Sequence, residues 1–213
     1  MLTGVVAFLV KGGVVMAPLL VCSVMALAVV LERAWFWWRA SPASDAERVL
    51  SHAARSEWDA ALRVGDGSRS PVARVLAAGI RHRHPAPALA MEAAAHEEQA
   101  RFTRYLAVLD TIITLSPLLG LLGTVTGMIL AFGVMSTSGI NQPHAITGGV
   151  AEALIATASG LAVAMAALVP YNYFTRRAER TLTDIERQGS RLELVLQSVP
   201  VAGRKAPAAE SAA

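Results

Sequence analysis

Charge is what this 213-residue chain has least of: 16% of its residues are Asp, Glu, Lys or Arg, against about a quarter in an ordinary soluble domain. The deficit is concentrated. Gly12 to Leu31, Thr111 to Ala151 and Ala153 to Thr175 contain no charged residue at all. There is a single cysteine, Cys22, which excludes an intrachain disulfide framework and reads as a small packing residue. No Gly-rich phosphate loop, nucleophile elbow or His-Glu-x-x-His motif occurs, so the common nucleotide, hydrolase and metalloprotease chemistries have no foothold. His82 and His84 flank an arginine beside Pro85 without any cysteine, which reads as a solvated loop rather than a zinc ligand pair. No cofactor is implied. The sequence pI near 9.5 does not call for nucleic acid, because the basic residues alternate with acids and flank the apolar runs.

Apolar residues make up 54% of the chain. A membrane-spanning helix needs about 20 mostly apolar residues, so the first and third charge-free runs hold one span each. The middle run is too long for one. Within it, Ser136 to His144 is polar and turn-rich and reads as a loop. Three transmembrane helices are therefore expected, at roughly 12–36, 111–136 and 147–174. The runs are too long and too continuously apolar for barrel strands. Of 19 Lys and Arg, only Lys11 lies on the far side of the spans. The positive-inside rule puts the N-terminus outside and the C-terminus in the cytoplasm. Trp35 to Trp38 and Tyr171 to Phe174 close the first and third spans at the inner interface, where amphipathic rings prefer to sit. The first span lacks a basic start and a small-residue cleavage site, so it reads as a retained anchor rather than a signal peptide.

The expected architecture is an all-α integral membrane protein with long cytoplasmic helical extensions. Residues 1–38 form a short periplasmic start and the first span. Residues 39–106 are a cytoplasmic helical segment, 107–174 a transmembrane hairpin, and 175–213 a cytoplasmic tail that is helical, then disordered after Pro200. Within the cytoplasmic segment, Ser44-Asp45 starts a helix to about Val64, and Gly65 to Ser68 forms a turn. Pro71 sits in the first turn of a further helix that ends near His82 to Pro85. From Ala88 to Ser116 no Gly or Pro intervenes, which predicts one long helix entering the second span.

The hairpin holds the informative residues. Pro117 removes a helix hydrogen bond and can kink the second span. Gly123 and Gly127 form a Gly-x-x-x-Gly pair, and Gly120, Thr124, Gly127 and Ala131 fall on one small-residue face. The third span has a matching face of Gly149, Ala153, Thr157, Gly160, Ala164 and Leu168. Such faces let helix backbones approach closely, and packing alone accounts for them. Glu152 is the one carboxylate inside the hairpin's two spans; Glu32 stands beside Arg33 near the inner end of the first span. An ionisable group in a membrane marks a functional site by default, although Glu152 lies only about 7.5 Å into its helix, where a structural role near the outer interface also fits. Thr124 and Thr157 each lie roughly 15–18 Å below the outer ends of their helices, near mid-bilayer. Repeated around an axis they would make a polar ring; a lone Thr would bond its own helix instead.

Residues 116–132 (SPLLGLLGTVTGMILAF), and 149–161 (GVAEALIATASGL) followed by Tyr171-Asn172, resemble the second- and third-span signatures of the MotA/TolQ/ExbB proton channel family, with a chain length closest to ExbB and TolQ. The resemblance implies a homopentamer in the bacterial inner membrane around two copies of a single-span, ExbD- or TolR-like partner whose membrane aspartate carries the proton. It implies a pore lined by Thr124, Thr157 and Glu152, with Pro117, Gly120, Gly123, Gly127, Gly149 and Gly160 serving packing and kinking. Output would reach a TonB- or TolA-like protein, so the chain would be no enzyme. The family often has a proline where this chain has Ala166, which displaces the expected kink toward Pro170. Two other classes stand beside this one. A non-conducting scaffold would need only the small-residue faces. An intramembrane enzyme would need a richer polar inventory than one Glu and a few hydroxyls. ExbB-like import, TolQ-like envelope maintenance and a specialised gliding or secretion motor share the same motifs.

Overall fold

The computed structural model describes residues 12–40, 44–138 and 143–198. Among them the regular structure is helical throughout: α1 (Met16–Arg39), α2 (Ser44–Ala54), α3 (Trp58–Gly67), α4 (Pro71–Arg81), α5 (Pro87–Phe102), α6 (Leu106–Ser138) and α7 (Pro143–Ser198). Three helices, α1, α6 and α7, are long and apolar enough to cross a membrane. The chain divides into two compact units, Met1–Trp38 with Thr103–Ala178, and Arg39–Phe102 with Glu179–Ala213.

The first unit contains the three apolar helices. Buried positions on α6 are Leu106, Leu109, Ile112, Ser116, Gly120, Gly123, Gly127 and Ala131. Those on the part of α7 in this unit are Ala153, Ala156, Gly160, Ala164, Ala167, Phe174 and Ala178. The steps of three and four keep one seam facing the partner helix, as in a heptad pattern. The seam differs in detail from the predicted faces. Gly123 is buried where Thr124 was expected, Ala156 where Thr157 was, and Ala167 where Leu168 was; Leu168 is 40% exposed. Each threonine stands one residue beyond a buried seam position, so both lie at the edge of the seam, half-buried. On α1, Met16, Leu19, Cys22, Ala26, Arg33 and Trp37 are buried.

The second unit contains α2 to α5 and the end of α7. Its centre is α4, where Val75, Leu76, Ala77 and Ile80 are almost wholly buried; each large side chain there contributes about 1.5–3 kcal/mol of burial. Pro71 stands at the first position of α4, where its missing N–H costs nothing. Gly65 is not the turn residue the sequence suggested. It lies inside α3, and a Cβ there would come 2.5 Å from Ala77 Cβ and 3.0 Å from the Ala73 carbonyl oxygen. This glycine lets α3 and α4 touch. Arg74 and Arg101 converge on buried Glu98, and Arg81 grips Asp66 with both contacts at 2.7 Å.

Three further expectations are corrected. The helix from Ser44 stops at Ala54, and α3 begins only at Trp58; Ser56, with φ 59°, turns the chain between them, and His52 accepts the backbone N–H groups of Arg55 and Glu57. The long helix expected from Ala88 to Ser116 is broken at Thr103–Tyr105. Tyr105 has φ 64°, a left-handed conformation costly for a side-chain-bearing residue, and its ring faces the guanidinium groups of Arg104 at 4.6 Å and Arg33 at 5.9 Å. The hairpin loop is shorter than Ser136 to His144. Helix α6 runs to Ser138 and Pro143 opens α7, the position proline favours; residues 139–142 lie outside the described residues, as does the tail after Ser198. Helices α1 and α6 also take in Glu32 and Asp110, so Glu152 is not the sole carboxylate within the three long helices.

Candidate functional site

The site is the contact between α6 and α7, and glycines set its closeness. A Cβ on Gly160 would lie 2.5 Å from the Ser116 carbonyl oxygen and 3.1 Å from Gly120 Cα. One on Gly120 would lie 3.0 Å from Thr157 Cα. One on Gly127 would meet Ala153 Cβ at 2.9 Å, and one on Gly149 would meet Ala131 Cβ at 2.8 Å. At Gly123 it would overlap Ala156 Cβ. The helices therefore pack backbone to backbone over about four turns of α6, the arrangement that lets membrane helices gain dispersion energy without a hydrophobic driving force. Both internal prolines, Pro117 and Pro170, sit within unbroken helices, and α7 also runs without a break through Ala166.

Polar groups punctuate this apolar contact. The Thr157 hydroxyl donates across the seam to the Gly120 carbonyl at 2.9 Å. Thr124, one turn further along α6, donates to its own helix at the Leu121 carbonyl, 2.7 Å away. The two threonines are thus on one seam but not at one level; Thr157 is level with Gly120, about 6 Å from Thr124 along the axis. Thr124 lies on an open apolar face of α6 with Val125, Met128, Ile129 and Phe132. Ser116 is fully buried and its hydroxyl has no partner among the described residues.

Glu152 is half-buried on α7, outward of the seam's centre. Its carboxylate lies against Gly13, where a Cβ would overlap it. Gly13 has φ 73°, open to glycine at little cost, and it immediately precedes the first turn of α1, whose Met16 N–H bonds the Gly13 carbonyl at 3.1 Å. The carboxylate therefore stands where the unpaired N–H groups of a helix start favour negative charge. Glu152 and Thr157 are five residues apart on α7, about 140° around the axis, and face different neighbours.

Sequence reasoning treated Arg33 as one of many flanking basic residues. In the structure it is 1% exposed, paired with Glu32 and stacked 4.7 Å from the Phe36 ring. Arg177 caps Trp37 at 4.9 Å, joining the aromatic clusters of α1 and α7. The signal was a Glu32-Arg33 pair just ahead of the aromatic run Trp35 to Trp38, which composition alone does not rank. Among the described residues no group of three His, Cys, Asp or Glu could hold a metal ion.

Comparison with known proteins places this geometry. Residues 68–187, which include the whole α6–α7 contact, match the MotA/TolQ/ExbB proton channel family. ExbB-like 1 of Synechocystis sp. is 40% identical over 197 residues, 89% of this chain and 78% of its own length. The biopolymer transport protein ExbB of Aquifex aeolicus is 38% identical over 88 residues, 41% of this chain and 60% of its own. The Tol-Pal system protein TolQ of Pseudomonas aeruginosa is 39% identical over 92 residues, 43% of this chain and 40% of its own. With three apolar helices and a glycine-spaced hairpin inside the matched region, the chain is a membrane protein that belongs to the MotA/TolQ/ExbB proton channel family.

Proposed function

We propose that this chain is the multi-span subunit of a proton-driven motor in the bacterial inner membrane, with its N-terminus in the periplasm and its C-terminus in the cytoplasm. Five copies would surround two copies of a single-span, ExbD- or TolR-like helix bearing an aspartate. The observation that carries the reading is the position of Thr124. It lies on an open apolar face of α6, while the neighbouring glycines of the same helix pack against α7. A hydroxyl on an open apolar face suits a partner helix that brings its own polar group.

In this reading the α6–α7 contact is the rigid wall. Its close backbone packing holds Thr157 against Gly120 and keeps Thr124 turned toward the partner. Protonation of the partner aspartate neutralises its charge, removes the cost of exposing it to the apolar face, and frees the pair to shift. Glu152, held at the start of α1, is a second polar station toward the periplasmic end. One proton crossing 100 mV releases roughly 2.3 kcal/mol, so several are needed for substantial work. Output reaches a TonB- or TolA-like envelope-spanning protein, and the chain works by conduction and coupling rather than by catalysis. ExbB-like energisation of outer-membrane transport is favoured by the coverage of the ExbB-like relative. A TolQ-like role in the Tol-Pal system, or a gliding or secretion motor, is the alternative. A non-conducting scaffold leaves Thr124 and Glu152 without a role.

Native mass spectrometry of the chain, extracted in mild detergent with its co-expressed partner, tests the assembly. Five copies with two of a single-span, Asp-bearing protein support the motor. A stable homo-oligomer that binds no such protein removes the proton carrier and leaves the scaffold.

A further inference from the structure

The second unit carries a groove of about 390 Å³ between α4, α5 and the end of α7. Its floor is apolar, formed by Val75, Met91, Leu182 and Ile185. Met91 reaches this floor through two glycines: a Cβ on Gly79 would come 2.6 Å from its Cγ, and one on Gly189 would touch its sulfur at 3.7 Å. A thioether held between glycines is an adaptable surface.

The rim is acidic. Glu92, Glu186 and Glu193 line it, together with His96, and no Lys or Arg does. That is unusual for a unit so rich in arginine. Five of the unit's arginines are committed elsewhere: Arg74 and Arg101 to Glu98, Arg81 to Asp66, Arg187 to Asp184 and Arg191 to Glu47. None of the three rim carboxylates has an ion pair among the described residues. A chain of net charge +3 thus presents a local concentration of unpaired negative charge around an apolar slot.

We propose that this groove docks a short basic segment with one apolar anchor, supplied by the cytoplasmic flank of the single-span partner. The chemistry selects that occupant. Lys or Arg would meet the carboxylate rim while an apolar side chain fills the slot over Met91. The positive-inside rule concentrates Lys and Arg in the short cytoplasmic flanks of membrane spans, so a single-span protein brings such a segment with it. The proposal rests on the topology and partnership proposed above. It adds a second, cytoplasmic point of attachment that holds the partner even while its membrane aspartate is being released.

The test uses the full-length chain in detergent and two fluorescent synthetic peptides. One carries lysines and a single leucine; in the other glutamates replace the lysines. Empty micelles are the blank. The expected result is saturable binding of the Lys peptide alone, weakened by added salt and reduced roughly tenfold in E92Q/E186Q/E193Q, which removes three exposed charge pairs at once. Equal binding of both peptides, or a triple variant that binds as tightly as the parent, overturns the proposal. So does a triple variant whose oligomer dissociates without any peptide present, because the groove is then filled by a neighbouring copy. Charge-selective peptide binding in a chain that retains no single-span partner would instead count against the motor reading while leaving the groove's chemistry intact.

Discussion

The Thr157 hydroxyl and the Gly120 carbonyl, 2.9 Å apart, join two closely packed helices. A Cβ at Gly120 would press on the Thr157 backbone at 3.0 Å, so a larger residue there requires one backbone to give way. The same carbonyl is the one an α-helix offers to the N–H of residue 124. Thr157 is thus tied to the local geometry of Thr124 through a single shared acceptor. Thr157→Ala removes this bond and lowers resistance to unfolding by roughly 0.6–1.5 kcal/mol. Thr157→Ser retains most of it. Thermal unfolding of the purified chain in detergent distinguishes the two, and equal losses for both variants would mean that the methyl group, not the hydroxyl, matters.

Glycine substitutions separate contact from propensity. Gly160→Ala drives a Cβ to 2.5 Å from a backbone oxygen, whereas a Cβ at Gly133 meets nothing within 4 Å. Backbone cannot yield as a side chain tip can, so Gly160→Ala costs about 1–3 kcal/mol and separates the hairpin. Gly133→Ala is neutral or slightly stabilising through helix propensity. Comparing the two by thermal unfolding and by cysteine cross-linking across α6 and α7 checks this; equal behaviour would contradict the close backbone contact.

Gly13 and Glu152 act as a pair. Any side chain at Gly13 displaces the carboxylate and also strains a positive φ. Gly13→Ala therefore reproduces the effect of Glu152→Gln on proton uptake, and the double variant is no worse than the more impaired single one. Additive effects in the double-mutant cycle would show that the two positions act independently.

Glu47 gives an acid-side signature in the second unit. Its hydrogen bond from Arg191, at 2.8 Å, holds its carboxyl below the ordinary range, opposed in part by burial. A lowered folded-state value means that the stabilisation is complete above the unfolded pKa and is lost as pH falls through the lower, folded value. Both side chains are about half exposed, so the effect is small and screened by salt. The gap in melting temperature between the parent and Glu47→Gln holds steady from neutral pH down to the ordinary carboxylate range, then closes on further acidification. A gap that widens in acid would contradict the assigned direction.

The three apolar helices and the small-residue character of the hairpin were legible because charge and glycine spacing report directly on membrane burial. The breaks at Ser56 and Thr103–Tyr105 were not. Neither contains Gly or Pro; each depends on one residue taking a positive φ, Ser56 within local hydrogen bonds to His52 and Ala53 and Tyr105 with its ring against Arg104 and Arg33. Gly65 was read as punctuation when it was a contact residue, a distinction only the position of Ala77 supplies. For the site, the sequence named the threonines, the glycines and Glu152 but not their partners. Its faces were chosen for small residues, and spacing alone does not say which of two adjacent small residues, Gly123 or Thr124, Ala156 or Thr157, points at the partner helix.

The central claim is that protons pass along this subunit's hairpin. The most direct measurement is proton uptake into liposomes containing the purified complex, driven by an imposed potential, for the parent, Thr157→Ala and Glu152→Ala at equal protein content. Both variants keep their subunit stoichiometry and lose most of the uptake. Parental uptake in both, with the complex intact, would contradict that claim.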